Sequence, residues 1–212
     1  FIIIWLLFMT GLRLGEAQAL EWTDINFEDK TLTVSKSMYY KSANEFYVTE
    51  PKTRAGNRTI ALDDVTISYL AEWKSVQGRN VVSKYVLSYN GLPTNKSTTK
   101  HIIERHSKLA GVHTIKTHAL RHSHASLLIS LGENAIVVRD RLGHEDVETT
   151  LGTYGHLYPN TNIEVAKKLN NLISVKKDDT ITRNFISNQF VKNRQSGCNN
   201  ISLDCEEKEW DS

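Results

Sequence analysis

Between His118 and Tyr158 the chain concentrates histidine, arginine and tyrosine in a pattern that packing alone does not require. The stretch reads T-H-A-L-R-H-S-H-A-S-L-L-I-S-L-G, then N-A-I-V-V-R-D-R-L-G-H, then D-V-E-T-T-L-G-T-Y-G-H-L-Y. His118 and Arg121 stand three apart and so share one face of a helix start. The chemistry this suits is anion binding. An arginine fork holds two oxygens of a phosphate, and a histidine one turn away offers the same group a hydrogen bond or a proton. His144 follows Leu142-Gly143, where a glycine ends a helix, so its imidazole is expected at a turn. Tyr154 lies on the next helix, with Val147, Leu151 and Leu157 as its expected apolar partners. A phenol, with an ordinary pKa of about 10, is a poor nucleophile in water, but beside two guanidinium groups and a bound phosphate it can attack.

Each of these residues also has a plainer reading. A tyrosine on an amphipathic helix is most often a core or rim residue. His118 and His122 have the spacing of a metal pair, yet no glutamate separates them in the zinc-protease manner and Arg121 adds positive charge, so no metal is expected. His122, His124 and His156 read as polar-face residues. It is the joint spacing of the set that favours chemistry.

These residues need elements to hold them. Leu120, Ala125, Leu127, Leu128 and Leu131 recur at helical spacing and predict a buried stripe on the helix that carries His118 and Arg121. Upstream, F-I-I-I-W-L-L-F-M reads as a core helix ended by Thr10-Gly11, and a second helix starts near Leu12, with Leu20 and Trp22 on its apolar side. Arg13 and Glu16, three apart, form either an exposed pair worth a few tenths of a kcal/mol or a brace in which Glu16 fixes Arg13 for an anion. From Lys30 the period changes to two: residues 31 to 35, 45 to 49 and 58 to 62 predict three antiparallel strands. The E-P-K-T-R-A-G-N-R turn between the last two carries Lys52, Arg54 and Arg58. Such a basic tip is a solvated loop or a probe into a nucleic-acid groove, and its lysine can be delivered to a reaction centre. Asp63-Asp64 caps a helix to about Val76 with Ile67, Leu70, Ala71 and Trp73 inward. A looser segment with a short strand at 85 to 88 follows, then a helix from about Thr99 to Ala110 carrying Ile102, Ile103 and Leu109. Asn162 to Ile173 reads as a last amphipathic helix.

The bounds are permissive. A chain of 212 residues with 24% charged and 40% hydrophobic residues is an ordinary globular composition. A net charge of +2 neither demands nor excludes nucleic acid, which needs a local basic patch more than a high total. Cys198 and Cys205 have no metal or redox spacing and fit a reducing cytosol. The apolar start is shorter than the ~20 residues of a membrane span and has no basic leader, so neither span nor signal peptide is expected. It looks like a helix exposed by trimming, with the natural protein extending upstream.

Taken in order, Arg13, Lys52, His118, Arg121, His144 and Tyr154 resemble the catalytic domain of the tyrosine recombinases, the phage integrase family. T-G-L-R-L-G-E is similar to the family's first arginine box and P-K-T-R-A-G-N-R-T-I to its lysine hairpin. H-A-L-R-H-S-H-A resembles the His-x-x-Arg box, L-G-H the second histidine and T-L-G-T-Y-G-H-L-Y-P the nucleophile box. The likeness runs from about Phe1 to Ile173 and is strongest to integrases of phages and conjugative transposons of low-GC Gram-positive bacteria. Gly56, Ala61 and Ala119 depart from residues frequent in the family, but none is a catalytic group.

The resemblance implies an α+β fold, mostly α-helical, with a small three-stranded antiparallel sheet. Residues 1 to 173 would be the catalytic domain, with the family's core-binding and arm-binding domains outside this fragment, so that DNA binding by it would be weak and steeply salt-dependent. It implies site-specific DNA recombination, integrating or excising a mobile element through a covalent 3′-phosphotyrosyl intermediate. Arg13 and Arg121 would clamp the phosphate, with Glu16 in support, and His144 would hydrogen-bond it. Lys52 would protonate the departing 5′ oxygen, His118 would assist proton transfer at Tyr154, and Arg54 and Arg58 would contact DNA. Tyr158, one turn on, is the rival nucleophile, but the family box favours Tyr154. No cofactor or metal is implied. The implied partners are double-stranded attachment sites in a bacterial cytoplasm, bound by a tetramer that is monomeric when free, with a possible excision factor. The polar tail, 174 to 212, is expected to be disordered or to dock Phe185, Ile186, Phe190 and Val191 on another protomer. Type IB topoisomerase-like relaxation and an inactive DNA-binding module are the alternatives.

Overall fold

In the computed structural model the described residues are 1–42, 45–51, 53–158 and 162–170. They are mostly helical with two small antiparallel sheets. Helix α1, Ile2–Thr10, is apolar all round, as a helix enclosed by others must be. It packs against α3, Asp64–Asn80, and α5, Thr117–Ser130. Ile3, Leu6 and Leu7 are fully enclosed there with Leu32, Ile60, Leu70, Val86 and Leu87, and each such side chain contributes about 1.5–3 kcal/mol by leaving water. The helix stops at Gly11, whose φ of 65° is the left-handed cap that glycine adopts without a Cβ penalty. Space also demands glycine: a Cβ would lie 2.6 Å from the ring of His124 and 2.8 Å from Leu142. The tight stop sets Arg13 at the N-cap of α2, Leu14–Ala19.

The three-stranded sheet has a different membership from the one expected. Strand β2, Thr31–Val34, pairs with β1, Ile25–Asn26, on one side and with β5, Arg58–Ala61, on the other. The segment predicted as the middle strand forms β4, Phe46–Thr49, and pairs with the unforeseen β3, Ser37–Tyr40, in a separate ribbon. Hairpin closure favours the nearer partner, and stacking of Tyr39 on Tyr47 across the ribbon, with centroids 5.0 Å apart, supports that register. Strands β4 and β5 therefore lie in different sheets and do not form a hairpin.

Residues 85 to 88 are buried but make only isolated bridges, not a strand. Their peptide groups are satisfied from outside any ladder: Gln77 of α3 donates to the carbonyls of Tyr85, Val86 and Ser88, and Val86 N–H bonds to Leu20. Gln77 explains why α3 runs to Asn80, past the predicted end, while Ala71 faces solvent. Helix α4, Lys96–Ala110, is capped by Asn95 and buries Ile103, leaving Leu109 exposed.

The region under the site is a second, smaller core. Ala125 and Ile129 of α5, Val138 and Leu142 of α6, Ala135–Leu142, and Tyr154 of α7, Val147–Tyr154, pack together. Leu131, Leu151 and Leu157 are exposed, so the apolar partners expected for Tyr154 come from α5 and α6 instead. Helix α8, Asn162–Asn170, belongs to a second unit, Asn160–Ser212, whose tail lies outside the described residues. No described helix is long and apolar enough to cross a membrane.

Candidate active site

The site is built around the turn that ends α6. Gly143, at φ 68°, closes the helix, and a Cβ there would meet the Ala55 carbonyl and the Arg58 guanidinium, each at 2.8 Å. The last carbonyls of α6 carry the negative end of its dipole and draw in cations. Arg121 Nη2 donates to the Leu142 carbonyl at 2.8 Å, and Arg13 Nη2 donates to the next carbonyl, that of Gly143, at 3.2 Å. Two guanidinium groups distant in sequence thus rest on consecutive peptide oxygens, immediately ahead of His144.

Arg121 is buried, with Nη1 fixed on the carbonyl of Gly11 at 2.7 Å. Burial and then the charge of Arg13 bring its pKa down to about 10, which still leaves it charged at neutral pH. Arg13 keeps 44% of its side chain exposed. Its Nη1 and backbone N–H both donate to Glu16, at 2.8 and 2.9 Å. So the brace reading of Arg13 and Glu16 describes the geometry, with an addition. The buried Glu16 carboxylate also receives Arg58, at 2.9 and 3.2 Å. Burial alone would raise the Glu16 pKa, but hydrogen bonds and charge from Arg58, helped by Arg13, hold it below its usual value.

Arg58 differs most from its expected setting. Its side chain is only 7% exposed, and besides Glu16 it donates to the carbonyls of Arg141 and Gly56. It starts β5 inside the protein and does not stand on a basic tip. Arg54 is exposed in a short 3-10 turn, Arg54–Gly56, and Lys52 lies outside the described residues.

His144 hydrogen-bonds the buried Thr150 hydroxyl through Nδ1 at 2.9 Å. Burial first, then Arg121, Arg13 and Arg58, push its pKa down to about 4, so it is neutral at pH 7. With Thr150 donating to Nδ1, Nε2 carries the proton and can be offered to an anion. His118 is exposed at the start of α5, its pKa lowered by burial, then by His122 and the arginines.

Tyr154 is 4% exposed at the end of α7. Its hydroxyl makes one described hydrogen bond, 2.7 Å to Nδ1 of His122. Burial raises the phenol pKa while Arg121 opposes it. The partner expected for this phenol was His118, but His118 lies one turn earlier on α5 and packs edge-on against His122, with centroids 4.6 Å apart. The hydroxyl of Tyr158 is buried without a described partner.

Sequence reasoning also passed over the residues behind the clamp. Arg141 donates to His124 at 3.1 Å and to the carbonyls of Ala61 and Met9 at 3.1 and 3.2 Å, tying α6 to β5 and α1. His124, read from the sequence as a polar-face residue, is 3% exposed on the inner face with Leu120 and Ala125, and its position four residues after Leu120 on the apolar stripe was the available signal. Among the described residues no group of three or more metal-ligating side chains converges. What does converge is two guanidinium groups, Arg13 and Arg58, on the Glu16 carboxylate, with a third, Arg121, beside Arg13 at the α6 turn, an excess of positive charge suited to an anion with several oxygens.

The model of the Phage integrase family matches residues 2–161. The ICEBs1 integrase of Bacillus subtilis (strain 168) is 37% identical over 174 residues, covering 78% of this chain and 47% of its own. The chain spans about half the length of the curated relatives it matches. Among solved structures, the Tn1549 transposon integrase in complex with transposon right end DNA superposes with a TM-score of 0.65 at 22% identity, covering 82% of this chain and 58% of that one. The catalytic domain of bacteriophage HP1 integrase gives a TM-score of 0.51 at 25% identity, covering 81% of this chain and 82% of that one.

Proposed function

Since the chain belongs to the phage integrase family, we propose that it carries the catalytic centre of a site-specific tyrosine recombinase, within residues 1 to 173, that integrates or excises a mobile element. The observation that carries this reading is the pair of arginines on the Leu142 and Gly143 carbonyls, with His144 next in the chain and a buried tyrosine ending the following helix. The relatives' names, an integrase and a transposon integrase bound to transposon DNA, point to the same substrate class.

A phosphodiester in this site is held by Arg13 and Arg121 through its non-bridging oxygens, while neutral His144 donates Nε2–H to one of them. These cations stabilise the charge that builds on the equatorial oxygens during attack. Tyr154 attacks phosphorus, the P–O5′ bond breaks, and the strand is left as a 3′-phosphotyrosyl ester. Lys52 supplies the proton to the 5′ oxygen. A 5′ hydroxyl of the partner strand then reverses the step, and bond energy is conserved throughout. The partners are double-stranded attachment sites in a bacterial cytoplasm, with a tetramer assembled on DNA, an excision factor for the reverse direction, and residues 174 to 212 docking in trans.

The test uses a library of nicked duplexes with a randomised core, incubated with the protein in EDTA, from which protein-linked strands are captured under denaturing conditions. Enrichment of one core sequence, lost in Tyr154→Phe, is the expected result. Binding without any linked strand would leave only an inactive DNA-binding module, and linkage through Tyr158 would move the nucleophile.

A further inference from the structure

We infer that His122 is the proton acceptor for the Tyr154 hydroxyl. The inference rests on the strand-cleavage reading above and adds a catalytic residue to it. Three observations converge. The His122 Nδ1 to Tyr154 hydroxyl distance is 2.7 Å, within range for direct proton transfer, and it is the phenol's one described hydrogen bond. His122 follows Arg121 directly on α5, so the acceptor and one arm of the phosphate clamp are held by the same rigid helix. His118 packs edge-on against the His122 ring, with centroids 4.6 Å apart, while the phenol's described hydrogen bond goes to His122 and not to His118.

A phenol buried beside apolar groups keeps its proton until an acceptor takes it, and burial here opposes ionisation. In the tautomer with hydrogen on Nε2, Nδ1 of His122 accepts from Tyr154. As the tyrosyl oxygen bonds to phosphorus, its proton passes to Nδ1. The P–O5′ electron pair leaves with the 5′ oxygen, which takes a separate proton from Lys52. On ligation, the attacking 5′ hydroxyl returns its proton to Lys52 and His122 returns its own to the departing phenolate. No oxidant, metal or further reactant is needed. His122 and Lys52 thus handle the two ends of the transfer.

The experiment compares parent, His122→Ala and His122→Asn in single-turnover strand capture on a nicked duplex selected above. The outer side of His122 is exposed, so both variants should fold and bind DNA like the parent, with His122→Ala melting somewhat lower because the buried phenol loses its partner and His122→Asn, which keeps an acceptor, melting closer to the parent. His122→Ala should slow linkage by about 10²–10⁴-fold, the usual range for losing a positioned base, with partial recovery in added imidazole. His122→Asn keeps a hydrogen-bond acceptor but cannot take a proton, and should stay slow. A substrate with a bridging 5′ sulfur, which leaves unprotonated, should rescue Lys52→Ala but not His122→Ala. Linkage by His122→Ala within about twofold of the parent would overturn the role and leave the strand-cleavage reading standing. Equal rescue of both variants by the sulfur substrate would also overturn it. No Tyr154-dependent linkage even by the parent would overturn both.

Discussion

Replacing Arg58 by alanine separates a buried strut from an exposed DNA contact. Arg58 is 7% exposed and makes four described hydrogen bonds, two of them to the Glu16 carboxylate. Its loss leaves a buried carboxylate half-compensated and strands the Arg141 and Gly56 carbonyls. Breaking a buried pair by removing one partner costs about 3–5 kcal/mol, and Arg13 still holding Glu16 places the expected loss near the lower end. An arginine serving only as a DNA contact would cost no more than about 0.5 kcal/mol of stability and would lower the salt slope of binding by about one. Urea unfolding at a series of pH values reads both size and cause. Glu16 has a lowered folded pKa, so its contribution is present above its unfolded value and lost as pH falls through the folded one. Without Arg58, burial dominates and the folded pKa rises toward or above the unfolded one, so the variant is already weakened at neutral pH and Glu16's share of the acid-induced loss shrinks or reverses. A loss below about 1 kcal/mol, or an acid limb that coincides with the parent's, would refute the strut.

Three other outcomes follow from the same geometry. Gly11→Ala forces a side chain into a left-handed backbone and against His124 and Leu142, and should cost about 2–4 kcal/mol in thermal or urea unfolding. Thr150→Val removes the hydroxyl that orients His144 while keeping the side chain's shape. Strand capture should fall roughly tenfold or more while stability changes by about 1 kcal/mol. Acidification from about pH 6.5 to about 4 should destabilise the protein beyond what its carboxylates explain, because His124 and His144 are both pushed down to about 4 and the unfolded chain takes up those protons first. His124→Asn should flatten that slope in unfolding titrations.

Helices were the legible part of the fold. Glycines 11 and 143 do end helices as their positions suggested, because a left-handed cap is a local requirement that one residue type satisfies. Strand pairing was less legible, since β-propensity marks residues 46 to 49 as extended without saying whether the partner is β2 or the weakly patterned β3. In the site, Arg13, Glu16, Arg121, His144 and Tyr154 stood out through spacing, and the structure gathers the arginines, Glu16 and His144 around one turn. Arg58 was misjudged because its basic neighbours Lys52 and Arg54 suggested a solvated tip, whereas a carboxylate from another element, Glu16, draws it inward. His122 was passed over for a related reason: only the docking of α7 on α5 decides which histidine a phenol meets.

The turn at Leu142 and Gly143 has a consequence for judging relatives from their residues alone. Arg13 and Arg121 arrive from different helices, yet both are referenced to that turn, so mechanically they are one part with one mounting. An insertion in α6, or a bulky residue in place of Gly143, would displace both arms together and carry His144 with them. A relative so altered would keep both arginines, the histidine and the tyrosine and still have no clamp.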